Sequence, residues 1–187
     1  MVETSFEIRL ADFVDAHDVA RIYNEAIEGR TATFETDLRS VAEMAAQISQ
    51  QSQQHPTLVA CEGDAVVGWA ALRPYSDRAC YAGIASFSVY VDSAARGRGI
   101  GVSLVASLLE CARGAGHWKI TSRILTGNDA SRALCRRLGF REVGVHERHA
   151  QLDGRWHDVV VVERSVDASA APPEVWTQVD RGALPAE

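Results

Sequence analysis

The sequence predicts an α/β domain, a mixed central β-sheet flanked by helices, and three observations carry that expectation. Residues 87–116 read as strand, glycine-rich turn and helix in direct succession. Around them, apolar runs of strand length and segments of helical periodicity follow the order βααβββαβαββ. Two pairs of apolar runs are joined by short glycine-containing turns, Glu62-Gly63-Asp64 and Asp153-Gly154, the signal of β-hairpins.

Each element has its own justification. Phe6, Ile8 and Leu10 alternate with polar residues and mark a half-buried first strand. A helix over residues 15–28 follows, with Val19, Ile22, Tyr23, Ala26 and Ile27 on one face and Gly29 at its end. Thr31-Ala32-Thr33-Phe34-Glu35 is an extended link, and Ser40 with Glu43 forms a capping box that opens a second helix reaching residue 50. Residues 51–56 are polar and form a loop; residues 58–61 and 65–72 are apolar strands. The turn-rich stretch 74–80 precedes the central strand, where a ligand-facing loop is expected. Val89, Tyr90 and Val91 belong to that strand, residues 92–95 break it, and Val102, Leu104, Val105, Leu108 and Leu109 give the next helix its apolar spacing. A strand over 119–125, a short helix over 128–138 stopped by Gly139, and strands over 142–151 and 157–163 complete the series. The last stretch has two prolines, small residues and little periodicity, so one domain over residues 1–165 and an extended tail over 166–187 are expected.

Composition narrows the function classes. The 187 residues are 47% hydrophobic, enough for one domain with a sizeable core. A formal charge of −6 leaves no electrostatic footprint for nucleic acid or an anionic membrane. No apolar run approaches membrane-spanning length and the first residues resemble no signal or transit peptide, so a cytosolic location is expected. Cys61, Cys80, Cys111 and Cys135 lack CxxC or Cys/His ligand spacing and are expected to be reduced core thiols, with no metal site.

The chemistry concentrates in Arg96-Gly97-Arg98-Gly99-Ile100-Gly101. Glycines in alternate positions let the backbone turn tightly and approach a ligand, while the free N–H groups of the following helix face outward. This is an anion site suited to phosphates, with Arg96 and Arg98 adding donors. The Gly-Lys-Ser/Thr ending of a nucleotide-hydrolysing loop is absent, and Val102 stands where a dinucleotide fingerprint needs its third glycine.

The hexad after Val89-Tyr90-Val91 resembles the pyrophosphate-binding motif (Gln/Arg-x-x-Gly-x-Gly/Ala) of the GNAT acyltransferases, which bind acetyl-CoA. Asn128, Ser131, Leu134, Gly139 and Phe140 resemble the family's second motif. Ile22-Tyr23-Asn24, Thr31-Ala32-Thr33-Phe34, Ser88-Val89-Tyr90-Val91 and Gly154-x-Trp156-x-Asp158 are similar to the phosphinothricin acetyltransferase group. The resemblance implies a GNAT fold and an acetyl-CoA-dependent N-acetyltransferase acting on a small primary amine, an amino acid or an amino-acid-like toxin. It implies that Val89, Tyr90 and Val91 pair with the pantetheine arm, that Arg96 to Gly101 hold the pyrophosphate, that Asn128 and Ser131 reach the pantetheine, and that the protein is a homodimer. Trp156, Val175 and Trp176 supply apolar surface for a dimer interface or for a tail folded back on its own domain.

The base is the departure. The group's glutamate is replaced by Ser86, its arginine by Ala82, and the tyrosine acid of many GNAT enzymes by Cys135. A serine cannot act as a base near neutral pH without an activator. Glu28, beside the Thr-Ala-Thr-Phe link, and His149 are the substitute candidates, with weaker cases for His146 and His157; Arg73 and Arg78 could take a substrate carboxylate, and Phe34 and Trp156 could wall the pocket. Two alternatives stay open: an acyl-CoA-binding sensor with weak or lost catalysis, and an acetyltransferase for protein N-termini or lysines.

Overall fold

A computed structural model describes residues 6–166. β1 (Glu7–Leu10) leads into a 3-10 turn (Phe13–Asp15) that Asp12 and Asp15 close as a capping box, and the buried Asp15 carboxylate receives both Arg9 Nη1 (2.7 Å) and Nη2 (2.8 Å). α1 (Ala16–Glu28) follows, then α2 (Val41–Ser49), whose reciprocal Ser40–Glu43 capping box satisfies its first N–H groups. Asn24 pins the link between the two helices: its Nδ2 donates to Arg39 O (3.0 Å) and its Oδ1 accepts from Arg39 N–H (2.8 Å).

β2 (Thr57–Glu62) and β3 (Ala65–Pro74) form the first hairpin, followed by β4 (Ile84–Val91), α3 (Ile100–Gly114), β5 (Lys119–Leu125) and α4 (Asp129–Arg137). β6 (Arg141–Leu152) and β7 (Arg155–Ser165) make the last hairpin. The sheet order is β1-β2-β3-β4-β5-β7-β6, antiparallel throughout except for β4 against β5. α3 crosses between those two strands, as a parallel pair requires.

Strand alternation divides the core in two. Leu58, Ala60, Ala70, Leu72, Ala85 and Phe87 pack under Ile100, Leu104 and Leu108 of α3. Val59, Trp69 and Ala71 face the other way, under Val19, Ile22 and Ile27 of α1 and Met44 and Ile48 of α2. Among the described residues no helix is long and apolar enough to cross a membrane.

Three details differ from expectation. Leu10 is 59% exposed, as the last residue of β1, a four-residue strand at the edge of the sheet. Cys80 is exposed in a 3-10 turn (Ala79–Tyr81) of the loop before β4, whereas Cys61 and Cys135 are core thiols and Cys111 is half-buried; all four are free. Val166, expected to begin the tail, is 5% exposed and donates its N–H to Trp118 O (3.0 Å), so core packing reaches one residue past β7. Val175 and Trp176 lie outside the described residues.

Candidate active site

The site is built around a split in the middle of the sheet. β4 and β5 pair only from Ile84 to Ser86 and from Lys119 to Thr121; beyond that the strands part. Ser122 Oγ reaches across to Phe87 O (2.9 Å), and Arg96 Nε donates to Val91 O (3.2 Å). The main chain of Phe87 and Val91 therefore faces the gap, and two-residue periodicity turns the Val89 N–H and C=O into it as well. A central strand with unpaired peptide groups needs a ligand that hydrogen-bonds along it.

At the end of β4 the chain is held before it turns. Asp92 Oδ1 accepts from Ala94 N–H (2.8 Å), its N–H donates to Val67 O (3.0 Å), and Ala95 is buried. A clamp from α1 fixes the same turn: Arg21 Nη1 bonds Asp92 Oδ2 (2.6 Å) and Glu25 Oε1 (2.9 Å), while Glu25 Oε2 accepts from Ser93 N–H (3.0 Å). These partners are some 70 residues apart in sequence, and no local signal announces them.

Gly97 (φ 78°) and Gly99 (φ 84°) then adopt the left-handed conformation, and a Cβ at either would meet nothing within 4 Å. Gly99 caps α3 without any side-chain bond, leaving the helix's first N–H groups free for an anion. Gly101 has a different role, since a Cβ there would lie 3.0 Å from Leu134 Cδ1: it lets α4 approach α3. The loop opens on a cleft of about 950 Å³ lined also by Glu28, Val89 to Val91, Arg96, Ile100, Asn128 and Ser131. Asn128 Oδ1 caps α4 through Ser131 N–H (3.0 Å), and its Nδ2 donates to Thr31 O (3.2 Å), joining the second motif to the α1–α2 link. Arg98 does not line this cleft; it is ion-paired with Glu62 of the β2–β3 hairpin.

The face of β4 toward α1 and α2 is the second half of the site. Tyr90 packs at 4.8 Å from both Tyr23 and Trp69, and burial pushes its hydroxyl above the usual range. Ser86 and Ser88 continue this face, and Ser88 is exposed although β4 is a central strand. Arg73 of β3 and Thr121 of β5 stand on either side of Ser86. Arg73 Nη1 donates to Leu72 O (2.8 Å), but among the described residues its Nη2 is buried without a partner, and burial holds the guanidinium below its ordinary pKa. Ser86 Oγ has only the Arg73 carbonyl, at 3.4 Å.

The remaining candidates are dispersed. Glu28 lines the cleft on the same side as the glycine loop. His149 is on the outer strand β6, its ring 4.7 Å from His146, and β5 and β7 separate it from β4. Arg78 lies over the Tyr81 ring at 5.6 Å, and Phe34 meets His157 edge-on at 6.2 Å. Trp156 is 50% exposed beneath Arg148 on the β6–β7 hairpin. Burial pushes the Cys135 thiol up to about 12, so it carries no thiolate near neutral pH. Ser88, Thr121 and Arg123 join the polar face without a motif that assigns them to it; the alternation within 119–125, which separates Thr121 and Arg123 from the buried Ile120 and Ile124, is the signal for those two in the sequence.

These features match an extended phosphorylated ligand that carries amide groups: free backbone donors for phosphates, a cleft, and an unpaired strand edge for amides. The Acetyltransferase (GNAT) family model matches residues 19–140. An L-methionine sulfoximine/L-methionine sulfone acetyltransferase of Pseudomonas aeruginosa is 33% identical over 171 residues, 90% of this chain and 99% of that protein. The structure of yncA from Salmonella typhimurium with its cofactor acetyl-CoA superposes with a TM-score of 0.85 at 28% identity, covering 90% of this chain and 98% of that one. A GNAT superfamily phosphinothricin acetyltransferase from Sinorhizobium meliloti, in complex with acetyl-CoA, gives 0.81 at 31% identity over 86% and 88% of the two chains.

Proposed function

We propose, since this chain belongs to the acetyltransferase (GNAT) family and is an N-acetyltransferase that uses acetyl-CoA, that its acceptor is the primary amine of a small amino-acid-like molecule. One observation carries this reading: on a central strand, directly beside the split, Ser86 and Ser88 form an open polar strip flanked by an arginine with a buried, unpartnered Nη2. The named substrates of the relatives, methionine sulfoximine and phosphinothricin, agree with it.

Acetyl-CoA supplies an acetyl group already activated as a thioester. The chain's own residues supply position and charge. Gly97, Gly99 and the N-terminus of α3, with Arg96, hold the phosphates; Asn128 and Ser131 line the path of the pantetheine. The Val89 N–H, aimed into the split, donates to the carbonyl as negative charge grows there. Arg73 takes the acceptor carboxylate, which gives its Nη2 the partner that burial demands. That contact places the amine near Ser86 and Ser88, where the hydroxyls orient it and a water. Among the described residues no carboxylate or imidazole hydrogen-bonds Ser86, so the amine sheds its proton to solvent or to Glu28, which lines the cleft.

The outer strand β6 exposes Val143 and Val145, and the adjoining hairpin exposes Trp156. A second copy covers these in a two-fold dimer; light scattering gives twice the chain mass, and a monomer mass at micromolar concentration refutes it. The site of action is the cytosol, where acetyl-CoA and free thiols such as Cys80 coexist. The acceptor assignment is tested by free-thiol release over a panel of amino acids and simple amines. Turnover confined to amines that carry a carboxylate supports it. Tight acetyl-CoA binding with no turnover on any amine overturns it in favour of a sensor.

A further inference from the structure

We infer that Arg123 is a specificity-determining residue that holds a second anionic group on the acceptor, so that the preferred acceptor is an α-amino acid whose side chain ends in an anion. This rests on the amino-acid acceptor site proposed above.

Arg123 belongs to β5, where Ile120 and Ile124 enter the core under α3 while Thr121 and Arg123 take the opposite face, that of Ser86 and Ser88. It lines the split together with Ser88 and Asn128 and is exposed to solvent. Its neighbour across the β5–β7 ladder is Val161, which offers no counter-charge. The carboxylates around it are already committed. Glu163, one step along the same face, holds Lys119 (3.2 Å) and Arg141. Glu35 on the facing link holds Arg39 (2.6 Å). Among the described residues Arg123 has no ion pair, in a chain whose formal charge is −6 and in which Arg21, Arg39, Arg98 and Arg132 are paired.

Among the described residues neither Arg73 nor Arg123 has a carboxylate partner, and their strands lie on either side of β4. Arg73 is opposite Ser86 on β3; Arg123 stands two residues beyond Thr121, which is opposite Ser86 on β5. With ordinary strand spacing and rise, their Cα atoms are roughly 12 Å apart. That span suits a small molecule with a carboxylate at one end, an amine beside it and a second anion a few bonds further on. A neutral terminal group would leave Arg123 without an anion and forgo that charge-assisted contact.

The test compares phosphinothricin, whose side chain ends in a phosphinate anion, with L-methionine sulfone, which is neutral there, by thiol-release kinetics on the full chain. Wild type favours phosphinothricin in kcat/KM. Arg123→Met lowers kcat/KM for phosphinothricin by about ten- to a hundredfold, mostly through KM, while L-methionine sulfone and the KM for acetyl-CoA change by less than about threefold. Arg123→Lys recovers part of the loss, and the melting temperature of both variants stays near that of wild type, since an exposed, unpaired side chain is removed. A wild type that prefers L-methionine sulfone, an Arg123→Met variant that keeps wild-type kinetics, or one that loses both acceptors equally overturns the inference and leaves the amino-acid acceptor standing. Turnover of other amines but of no amino acid removes the acceptor reading itself and this inference with it.

Discussion

Replacing Gly99 with valine separates what the glycine loop does for the fold from what it does for acetyl-CoA. Gly99 sits at φ 84°, and a Cβ there would meet nothing within 4 Å, so the cost to the free protein is backbone strain without a clash. A side chain forced into the left-handed region costs about 1–2 kcal/mol. For a domain of this length that lowers Tm by about 2–8 °C, well short of unfolding it. The cofactor pays more. The open space that spares the fold is the space the phosphates need, and a charge-assisted hydrogen bond is worth about 1.5–3 kcal/mol. If the valine displaces the phosphates from two N–H groups, the loss is about 3 kcal/mol or more, roughly two orders of magnitude in affinity. Calorimetric titration of acetyl-CoA into the folded variant measures it, with Gly99→Ala as an intermediate. A Gly99→Val protein that shows the expected Tm shift and still binds within about threefold of wild type would refute the phosphate assignment.

The two loop arginines should behave unequally: Arg96→Ala weakens acetyl-CoA binding by about tenfold, whereas Arg98→Ala, whose side chain is ion-paired with Glu62, changes it by less than about threefold in the same titration. Arg9 and the Asp12 N–H hold the Asp15 carboxyl below its usual range, so it contributes stability above its unfolded pKa of about 3.9, and that stability is lost as pH falls through the depressed folded value. Asp15→Asn therefore costs about 1–3 kcal/mol at pH 7 in denaturant unfolding and flattens the decline in stability below pH 4; an unchanged acid limb would contradict this. Ser86→Glu places a base beside the acceptor amine and raises kcat at neutral pH by about 10²-fold, with a shallower rise of rate toward alkaline pH than wild type. No gain on any accepted amine would mean that the proton leaves by another route.

Periodicity carried the fold because each element buries one face, and burial writes itself into spacing. The apolar positions of α1 and the runs around Gly63 and Gly154 place their elements within a residue or two. Where residue type stands in for spacing, the expectation weakens: cysteines are usually buried, which makes Cys80 an expected core thiol, yet its loop has no periodicity to bury it.

The site divides along the same line. Main-chain chemistry was legible, since Gly97 and Gly99 are required by the left-handed turn itself, and Asn128 is a helix cap as well as a cleft residue. Charge direction was not. Arg96 and Arg98 are two residues apart in one motif, but only tertiary structure brings Glu62 to one and leaves the other on the cleft. Arg123 shows how little is missing in such cases. Alternation in β5 already assigns it to the polar face, and what lifts it above a solvated surface charge is the parting of β4 and β5, which no local pattern encodes. A strand pattern says which side of the sheet a residue occupies; whether that side is covered depends on where α1 and α2 end, and here they stop short of Ser88. The uncovered strip of a central strand is costly unless something binds there, and the arginines on the two neighbouring strands, Arg73 and Arg123, without carboxylate partners among the described residues, indicate the charge of what does.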